Sequence, residues 1–224
     1  MEKKNAEYLA YNGIKNAIRN KQILPKRKLS EAVLGEILGM SRTPVRAALK
    51  RLEHEGYVEI IPNRGAYVIE PSLKEIDDTY EVRKAIEQLA VSLTIDRLTE
   101  EGLAELEECI QYEEEAYANQ DYEKYDDINR SFHMKIAELT KNEMLCRFLR
   151  ETLNKVDSFI LLYDENDSSA NAPASFEDHK HIVQLIRAKE KKEAREYIAT
   201  HLEHARSRLV LDVSKCGTTK DFLS

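Results

Sequence analysis

The strongest constraint on the fold is a change from helical to extended periodicity within the first third of the chain. Ser41–Gly56 carries Val45, Leu49 and Leu52 at helical spacing, which gives this stretch one apolar face. The residues that follow are β-branched and aromatic on both sides of the turn sequence Pro62-Asn63-Arg64-Gly65. We therefore expect a short amphipathic helix, capped by its N-terminal serine, and then directly a β-hairpin.

Two further helices are expected before this one. Tyr8–Asn20 has apolar residues at helical spacing and ends before Pro25. Ser30–Leu38 is a short helix capped by its serine, and its inward side consists of Leu34, Ile37 and Leu38. The turn at Gly39 then leads into the next helix. Two short helices joined by a tight turn containing glycine form a helix-turn-helix, and the hairpin that follows makes it a winged helix-turn-helix.

The polar side of the third helix and the hairpin tip have the composition of a DNA-contacting surface. Arginine can read guanine edges in the major groove, and threonine and lysine can hold phosphates. The candidate DNA-binding residues are Ser41, Arg42, Thr43, Arg46, Lys50, Asn63, Arg64 and Gly65. An ordinary surface helix and a purely structural hairpin are the alternatives. The basic run Lys26-Arg27-Lys28 is a solvated loop or a phosphate contact.

Charge is divided unevenly along the chain. The 224 residues carry a net charge of −7, but residues 1–71 hold 13 of the 34 Lys and Arg and only 8 of the 41 Asp and Glu. A small basic domain joined to a larger acidic one is typical of a DNA reader with a separate sensing domain. The chain has three widely spaced cysteines, no apolar run long enough to span a bilayer and no signal peptide. We expect a cytoplasmic protein without membrane contact.

The N-terminal motifs resemble those of the GntR family of bacterial transcription regulators. The resemblance covers about sixty residues and rests on Leu29-Ser30-Glu31-Ala32, Ser41-Arg42-Thr43-Pro44-Val45-Arg46, the run Leu49 to Val58, and Pro62 to Val68. It implies that Arg42, Thr43 and Arg46 contact bases and phosphates, with Arg64 and Gly65 at the wing. Ala47 departs from the family pattern, in which glutamate commonly follows the second arginine.

The remainder of the chain predicts an all-α bundle of about six helices. The predicted helices are 73–97, 103–118, 122–139, 144–163, 176–188 and 192–212, with a polar loop at 164–173. The fold class is therefore mainly α. The expected domains are a winged helix-turn-helix at 1–71, an effector-binding and dimerisation bundle at 72–212, and a frayed tail at 213–224.

Histidine spacing in the bundle indicates a possible metal site. Asn129 and His133 are one helical turn apart, and His179 and His201 are equally distant from the turn at Glu190. In an antiparallel helix pair the last two lie at the same level, roughly 16 Å from the turn. Three histidines and an oxygen donor suit zinc or a similar divalent ion. Scattered surface or core histidines are the alternative.

The same region resembles the FCD ligand-binding domain of the FadR-type branch of this family. The motifs are Glu81 to Glu87, Asn129-Arg130-Ser131-Phe132-His133, Asp178-His179 and His201-Leu202. The resemblance implies a metal held by Asn129, His133, His179 and His201, with zinc, nickel or manganese as candidates; Asn129 departs from the commoner aspartate. It also implies that Arg83 meets the carboxylate of an organic-acid or sugar-acid effector. An ion pair between Arg83 and Glu87 is the alternative.

Together these features predict a homodimeric, ligand-responsive regulator, most simply a repressor, that binds double-stranded operator DNA. A dimer is expected because one recognition helix spans only a few base pairs. Two other classes remain. A metal-dependent hydrolase or lyase would require a general base beside the metal, and no His-Glu-x-x-His motif is present. A structural DNA-binding protein without a ligand would have a metal-free bundle.

Overall fold

The computed structural model describes residues 2–163 and 175–220, with side chains described for 6–122, 124–163 and 175–210. The predicted loop at 164–173 and residues 221–224 lie outside this part of the chain. Two compact units are present. The first contains Met1–Ser72 and Asn154–Tyr163, and the second contains Leu73–Leu153 and Asp164–Ser224.

The N-terminal part of the first unit contains three helices and a small three-stranded sheet. Its elements are α1 Glu2–Arg19, β1 Lys28–Leu29, α2 Glu31–Leu38, α3 Arg42–His54, β2 Val58–Ile61 and β3 Gly65–Val68. Helix α3 packs against α1, and its Val45, Leu49 and Leu52 side chains are 0–2% exposed. The predicted apolar face of α3 is therefore confirmed.

The sheet is antiparallel with the strand order β1-β3-β2. The hairpin register pairs Val58 with Val68 and Ile61 with Gly65, as expected for a wing directly after α3. Strand β1 was not predicted; it pairs Leu29 with Ala66 and places Lys28 at the sheet edge. A two-residue strand carries too little periodicity to be recognised from sequence.

Two local predictions about the short helices are wrong. Ile37 is 73% exposed rather than inward-facing. The buried side of α2 is centred on Leu34 and Gly35, and Ile37 lies about 200° around the axis from Gly35. Ser30 and Ser41 occupy the N-cap positions with extended backbone, but neither side chain makes a capping hydrogen bond.

Among its described residues, the regular secondary structure of the second unit consists of helices. Its helices are α4 Leu73–Arg97, α5 Glu100–Ala118, α6 Tyr122–Leu139, the first part of α7 Glu143–Tyr163, α8 Ser175–Ala188 and α9 Lys191–Lys220. Helix α4 packs against α6, α8 and α9, and α5 packs against α6 and α8. The predicted mainly helical fold class is confirmed.

Helix bounds in this unit agree closely with the sequence pattern at both ends of α4 and α6. The main difference is at the C-terminus, where a frayed tail was expected from Val213. Helix α9 instead continues to Lys220, and no proline follows Lys191 to interrupt it.

One helix belongs to both units. Residues up to Leu153 of α7 lie in the second unit, and Asn154–Tyr163 lie in the first. In the first unit, the Lys21 ammonium donates to the carbonyls of Leu161 and Leu162, at 3.2 and 2.5 Å, and so satisfies the C-terminal end of this helix. The chain therefore connects the two units through α7 as well as at residue 72. Among the described residues, none of the helices has the length and apolarity needed to cross a membrane.

Candidate functional site

The exposed side of α3 carries the predicted DNA-contacting residues. Ser41, Arg42, Thr43, Arg46 and Lys50 are all exposed, whereas the opposite side of the helix is buried. The turn before α3 is fixed by Gly39, which has left-handed φ and ψ of 63° and 33°. The chain passes so close to Gly35 that an added Cβ would lie 2.8 Å from the Met40 carbonyl oxygen.

Arg46 is not free on this surface. Its Nε and Nη2 donate to Oε1 and Oε2 of Glu31, the first residue of α2, at 2.8 and 2.7 Å. The hydrogen bonds from Arg46 lower the pKa of the Glu31 carboxyl. The sequence singled out Arg46 as a DNA contact but gave no role to Glu31, which fixes the arginine across the helix-turn-helix.

The wing tip lies beside the same surface. Asn63 and Gly65 have φ of 62° and 104°, and Asn63, Arg64 and Gly65 are exposed. A groove of about 350 Å³ separates the wing from the helices and is lined by Lys28, Arg46 and Arg64, among others. The first unit therefore brings the eight predicted DNA-binding residues to one helix face and the adjoining wing.

In the second unit, three histidines from three helices meet in the core. His133 of α6, His179 of α8 and His201 of α9 are 1%, 0% and 4% exposed. Each offers a ring nitrogen, and these nitrogens all lie within 4.8 Å of one another. Phe132 stacks on the His179 ring with centroids 4.0 Å apart. His179 and His201 are equally far along the chain from the turn that joins α8 and α9, and they lie at the same level of this helix pair.

Each histidine is oriented by its own carboxylate. The Nδ1 atoms of His133, His179 and His201 lie 2.6, 2.7 and 3.0 Å from Glu87, Glu113 and Asp178, respectively. A carboxylate accepts a hydrogen bond from Nδ1–H, which leaves the lone pair on Nε2.

The Nε2 atoms of His133 and His179 are buried and have no hydrogen-bond partner among the described residues. An unsatisfied buried polar atom is costly, and a divalent ion between the rings would satisfy both atoms. Neutral imidazoles backed by carboxylates are the donor set expected of a zinc-type site, so the residues fit a metal.

Protonation of His133 and His201 is disfavoured. Burial lowers the pKa of His133 to about 3, and burial lowers that of His201 to about 4. Burial alone would raise the pKa of Glu87, but His133 and Arg83 outweigh it and hold that carboxyl well below its usual range. The hydrogen bond from His201 lowers the pKa of Asp178 to about 2. Near neutral pH the two histidines are therefore neutral and able to act as ligands.

The other predicted residues of this region lie around the cluster. Asn129 is half-buried, and its Nδ2 donates to Glu113 Oε1 at 3.2 Å and to Ser175 Oγ at 2.6 Å. Arg83 is buried, and its Nε donates to Glu87 Oε1 at 2.6 Å, which is the ion pair considered as the alternative. Glu87 contacts both Arg83 and His133, so it connects the guanidinium to the histidine cluster. The guanidinium charge also contributes to the lowered pKa of His201.

Sequence reasoning missed the three carboxylates. Asp178 directly precedes His179 in the chain, yet it bonds to His201, and Glu113 lies on a helix that contributes no histidine. Glu87 and Asp178 lie in motifs of the FCD resemblance, and Glu87 was also considered as the partner of Arg83, but neither was assigned to a histidine. His181 and His204 lie outside the cluster, and the His181 ring contacts Tyr197.

Comparisons with known proteins give a family match for the helix-turn-helix region and another for the helical bundle. Residues 9–68 match the profile described as bacterial regulatory proteins, gntR family, and residues 78–204 match the FCD domain. The chain is 28% identical over 207 residues to the uncharacterised HTH-type transcriptional regulator YdhC of Bacillus subtilis, covering 91% of each protein. It is 27% identical over 188 residues to the HTH-type transcriptional regulator McbR of Escherichia coli, covering 84% of this chain and 85% of McbR.

The structural comparison extends the similarity to nearly the whole chain. A solved structure of Escherichia coli McbR superimposes with a TM-score of 0.70 at 26% identity, and the match covers 92% of this chain and 97% of that one. Both the helix-turn-helix region and the helical bundle therefore have counterparts within one solved protein.

Proposed function

Because this chain belongs to the GntR family of bacterial transcription regulators and carries an FCD domain, we propose that α3 and the wing read an operator while the histidine cluster senses a metabolite. The protein is a ligand-responsive DNA-binding regulator and not an enzyme. The proposal concerns which residues bind DNA, metal and effector, and in which assembly.

The DNA-reading role is assigned to the exposed side of α3. Arg42, Thr43 and Arg46 contact base edges and nearby phosphates, and Lys50 contacts the backbone farther along the groove. Arg64 and Gly65 at the wing tip approach the adjoining minor groove or phosphates. The exposure of all these residues on one unit supports the assignment, as does the groove beside them, which Lys28, Arg46 and Arg64 line together with Glu31.

The observation that carries the sensing role is the pair of buried, unpartnered Nε2 atoms in a cluster whose Nδ1 atoms are held by carboxylates. FCD domains of some members bind metals. We assign His133, His179, His201 and Asn129 as the ligands of a divalent ion, with zinc first and nickel or manganese as alternatives.

A small carboxylate is the proposed effector. A divalent ion with three or four protein ligands supplies open coordination positions that carboxylate oxygens can occupy. Arg83 adds a fixed positive charge close to the cluster, and its ion pair with Glu87 keeps the guanidinium in place. Organic acids and sugar acids carry the carboxylate oxygens that such open positions take.

A homodimer is proposed from an exposed apolar seam on α4. Val82, Ile86, Leu89 and Leu93 follow one another at spacings of four, three and four residues, and Val82 and Leu89 are 53% and 50% exposed. This is the spacing of a helix-pairing seam, and the opposite side of α4 already packs within the unit. A second copy of this chain is the occupant that also provides two recognition helices for two half-sites.

The regulator is proposed to act as a repressor whose operator affinity depends on the effector. A ligand shifts a conformational equilibrium only by its different affinity for the two states. Because α7 contributes to both units, a rearrangement of the bundle around the effector has a continuous helix through which to reach the DNA-reading unit.

A thermal-shift screen of organic and sugar acids, run with and without a chelator, tests this function. Zinc should raise the melting temperature of the wild type, and at least one acid should raise it further only when zinc is present. In His133→Ala, calorimetry should detect neither zinc binding nor zinc-dependent acid binding. Acid binding that is unchanged in this variant would overturn the metal-associated effector site.

A further inference from the structure

Glu113 contacts two of the four proposed metal ligands. Its side chain is fully buried on α5, a helix that supplies no ligand. Oε2 lies 2.7 Å from His179 Nδ1, and Oε1 lies 3.2 Å from Asn129 Nδ2 and 3.0 Å from Ser175 Oγ. One carboxylate therefore orients a histidine from α8 and an amide from α6.

The hydrogen atoms around Glu113 are fully allocated. The Ser175 hydroxyl donates to Glu113, and Ser175 Oγ accepts from Asn129 Nδ2 at 2.6 Å and from the Tyr125 hydroxyl at 2.6 Å. The Ser175 amide in turn donates to the Tyr125 oxygen at 2.7 Å. Each hydroxyl has one hydrogen to give, so position 129 must be a donor toward Glu113.

We propose that Glu113 is the positioning residue for both His179 and Asn129, and that position 129 carries asparagine because it must donate to this carboxylate. With Nδ2 facing Glu113, the Asn129 Oδ1 remains for the metal. Glu113 then supplies the negative charge that an aspartate ligand would provide, but from behind Asn129 rather than in contact with the ion. This inference rests on the metal centre proposed above.

An aspartate at position 129 would place two carboxylates face to face. The 3.2 Å contact would then join two acceptors, and neither Ser175 nor Tyr125 has a second hydrogen to separate them. Asn129→Asp should therefore weaken the site, although it adds a better ligand. Combining it with Glu113→Gln exchanges the two roles and removes the conflict. The new amide on α5 accepts from His179 through its oxygen and donates through its nitrogen to the new carboxylate on α6.

Zinc affinity of four proteins tests the proposal: wild type, Glu113→Gln, Asn129→Asp and the double variant. Affinity is measured by competition with a chromophoric chelator. Removal of an outer carboxylate typically costs 10–100-fold in metal affinity, and we expect losses of about that size for each single variant. The double variant should return to within about threefold of the wild type, because its donors and acceptors again match.

Two controls separate positioning from general damage. Glu114→Gln alters the adjacent glutamate, which pairs with Lys180 at the surface, and should leave zinc affinity unchanged. Thermal unfolding of the metal-free proteins reports folding, and the visible spectrum of bound Co²⁺ reports coordination, which should change in the single variants and recover in the double variant.

Three outcomes are distinguishable. The proposal stands if the double variant recovers affinity and the Co²⁺ spectrum. It is overturned if Asn129→Asp binds zinc more tightly than the wild type, or if the two losses simply add. If the wild type itself binds zinc no better than His133→Ala, then the proposed metal centre fails and this inference fails with it.

Discussion

Arg46 and Glu31 form a two-bond ion pair across the helix-turn-helix, with N–O distances of 2.8 and 2.7 Å. The arginine lies on the proposed DNA-reading face, and the glutamate opens the preceding helix. The guanidinium therefore reaches the DNA surface already oriented, but accompanied by a negative charge that repels phosphates. Orientation and repulsion affect specific and non-specific binding differently.

Glu31→Gln is expected to raise affinity for non-specific DNA and to lower the ratio of specific to non-specific affinity by about tenfold, the lower part of the range for one bidentate base contact. Fluorescence anisotropy with an operator selected from a random library and with a scrambled duplex measures both affinities. Glu36→Gln, an exposed glutamate on the same helix, is the matched control. An unchanged ratio would show that Arg46 needs no such partner.

Arg42→Ala and Lys50→Ala should weaken DNA binding in different ways. Loss of Arg42, at the first turn of α3, should cost about 1–3 kcal/mol and relax the preference at one operator position. Loss of Lys50 should weaken binding to all sequences alike and reduce the salt-dependence slope by about one. Titrations at several salt concentrations against single-base operator variants distinguish the two. Equal losses on every operator variant for Arg42→Ala would refute its base-reading role.

Leu89→Asp should dissociate the proposed dimer without unfolding the bundle. The side chain is 50% exposed in the single chain, so the charge meets solvent unless a second copy covers it. Sedimentation velocity is expected to shift from dimer to monomer, with helical circular dichroism preserved. Tyr112→Asp, an exposed aromatic residue on α5, is the control. A variant that sediments like the wild type would exclude this seam as the interface.

Acidification should destabilise the metal-free protein. The folded-state pKa values of His133 and His201 are about 3 and 4, below the unfolded value near 6.5. At pH values between the folded and unfolded pKa, the unfolded chain therefore binds more protons than the folded chain. The stabilisation that the neutral histidines provide above pH 6.5 is lost as pH falls towards 4. The loss between pH 7 and 5 should be roughly 2 kcal/mol per histidine.

Urea unfolding with a chelator at both pH values measures this loss. His201→Asn should flatten part of the pH dependence, whereas His204→Asn, at an exposed position of the same helix, should not. If zinc is bound, protons must displace it first, so the zinc-loaded protein should resist acid to a lower pH. A stability that does not change between pH 7 and 5 would contradict the burial of neutral histidines.

The sequence determined those features that depend on neighbours along the chain. The bounds of α4 and α6, the buried face formed by Val45, Leu49 and Leu52, and the wing after α3 all follow from periodicity and turn residues. The equal sequence separation of His179 and His201 from the turn between α8 and α9 also placed these two histidines at the same level of the helix pair. A helix or hairpin repeats its geometry over a few residues, so a local pattern is sufficient.

Only the tertiary structure decided which side chains face each other across helices. Three contacts had no signature in the spacing of the sequence. They are those of Glu113 with His179 and Asn129, of Asp178 with His201 rather than with the adjacent His179, and of Glu31 with Arg46. The same holds for Ile37, whose exposure depends on how α2 is rotated about its axis. These contacts depend on the rotation and packing of whole helices, which are set by the complete core and not by any single segment.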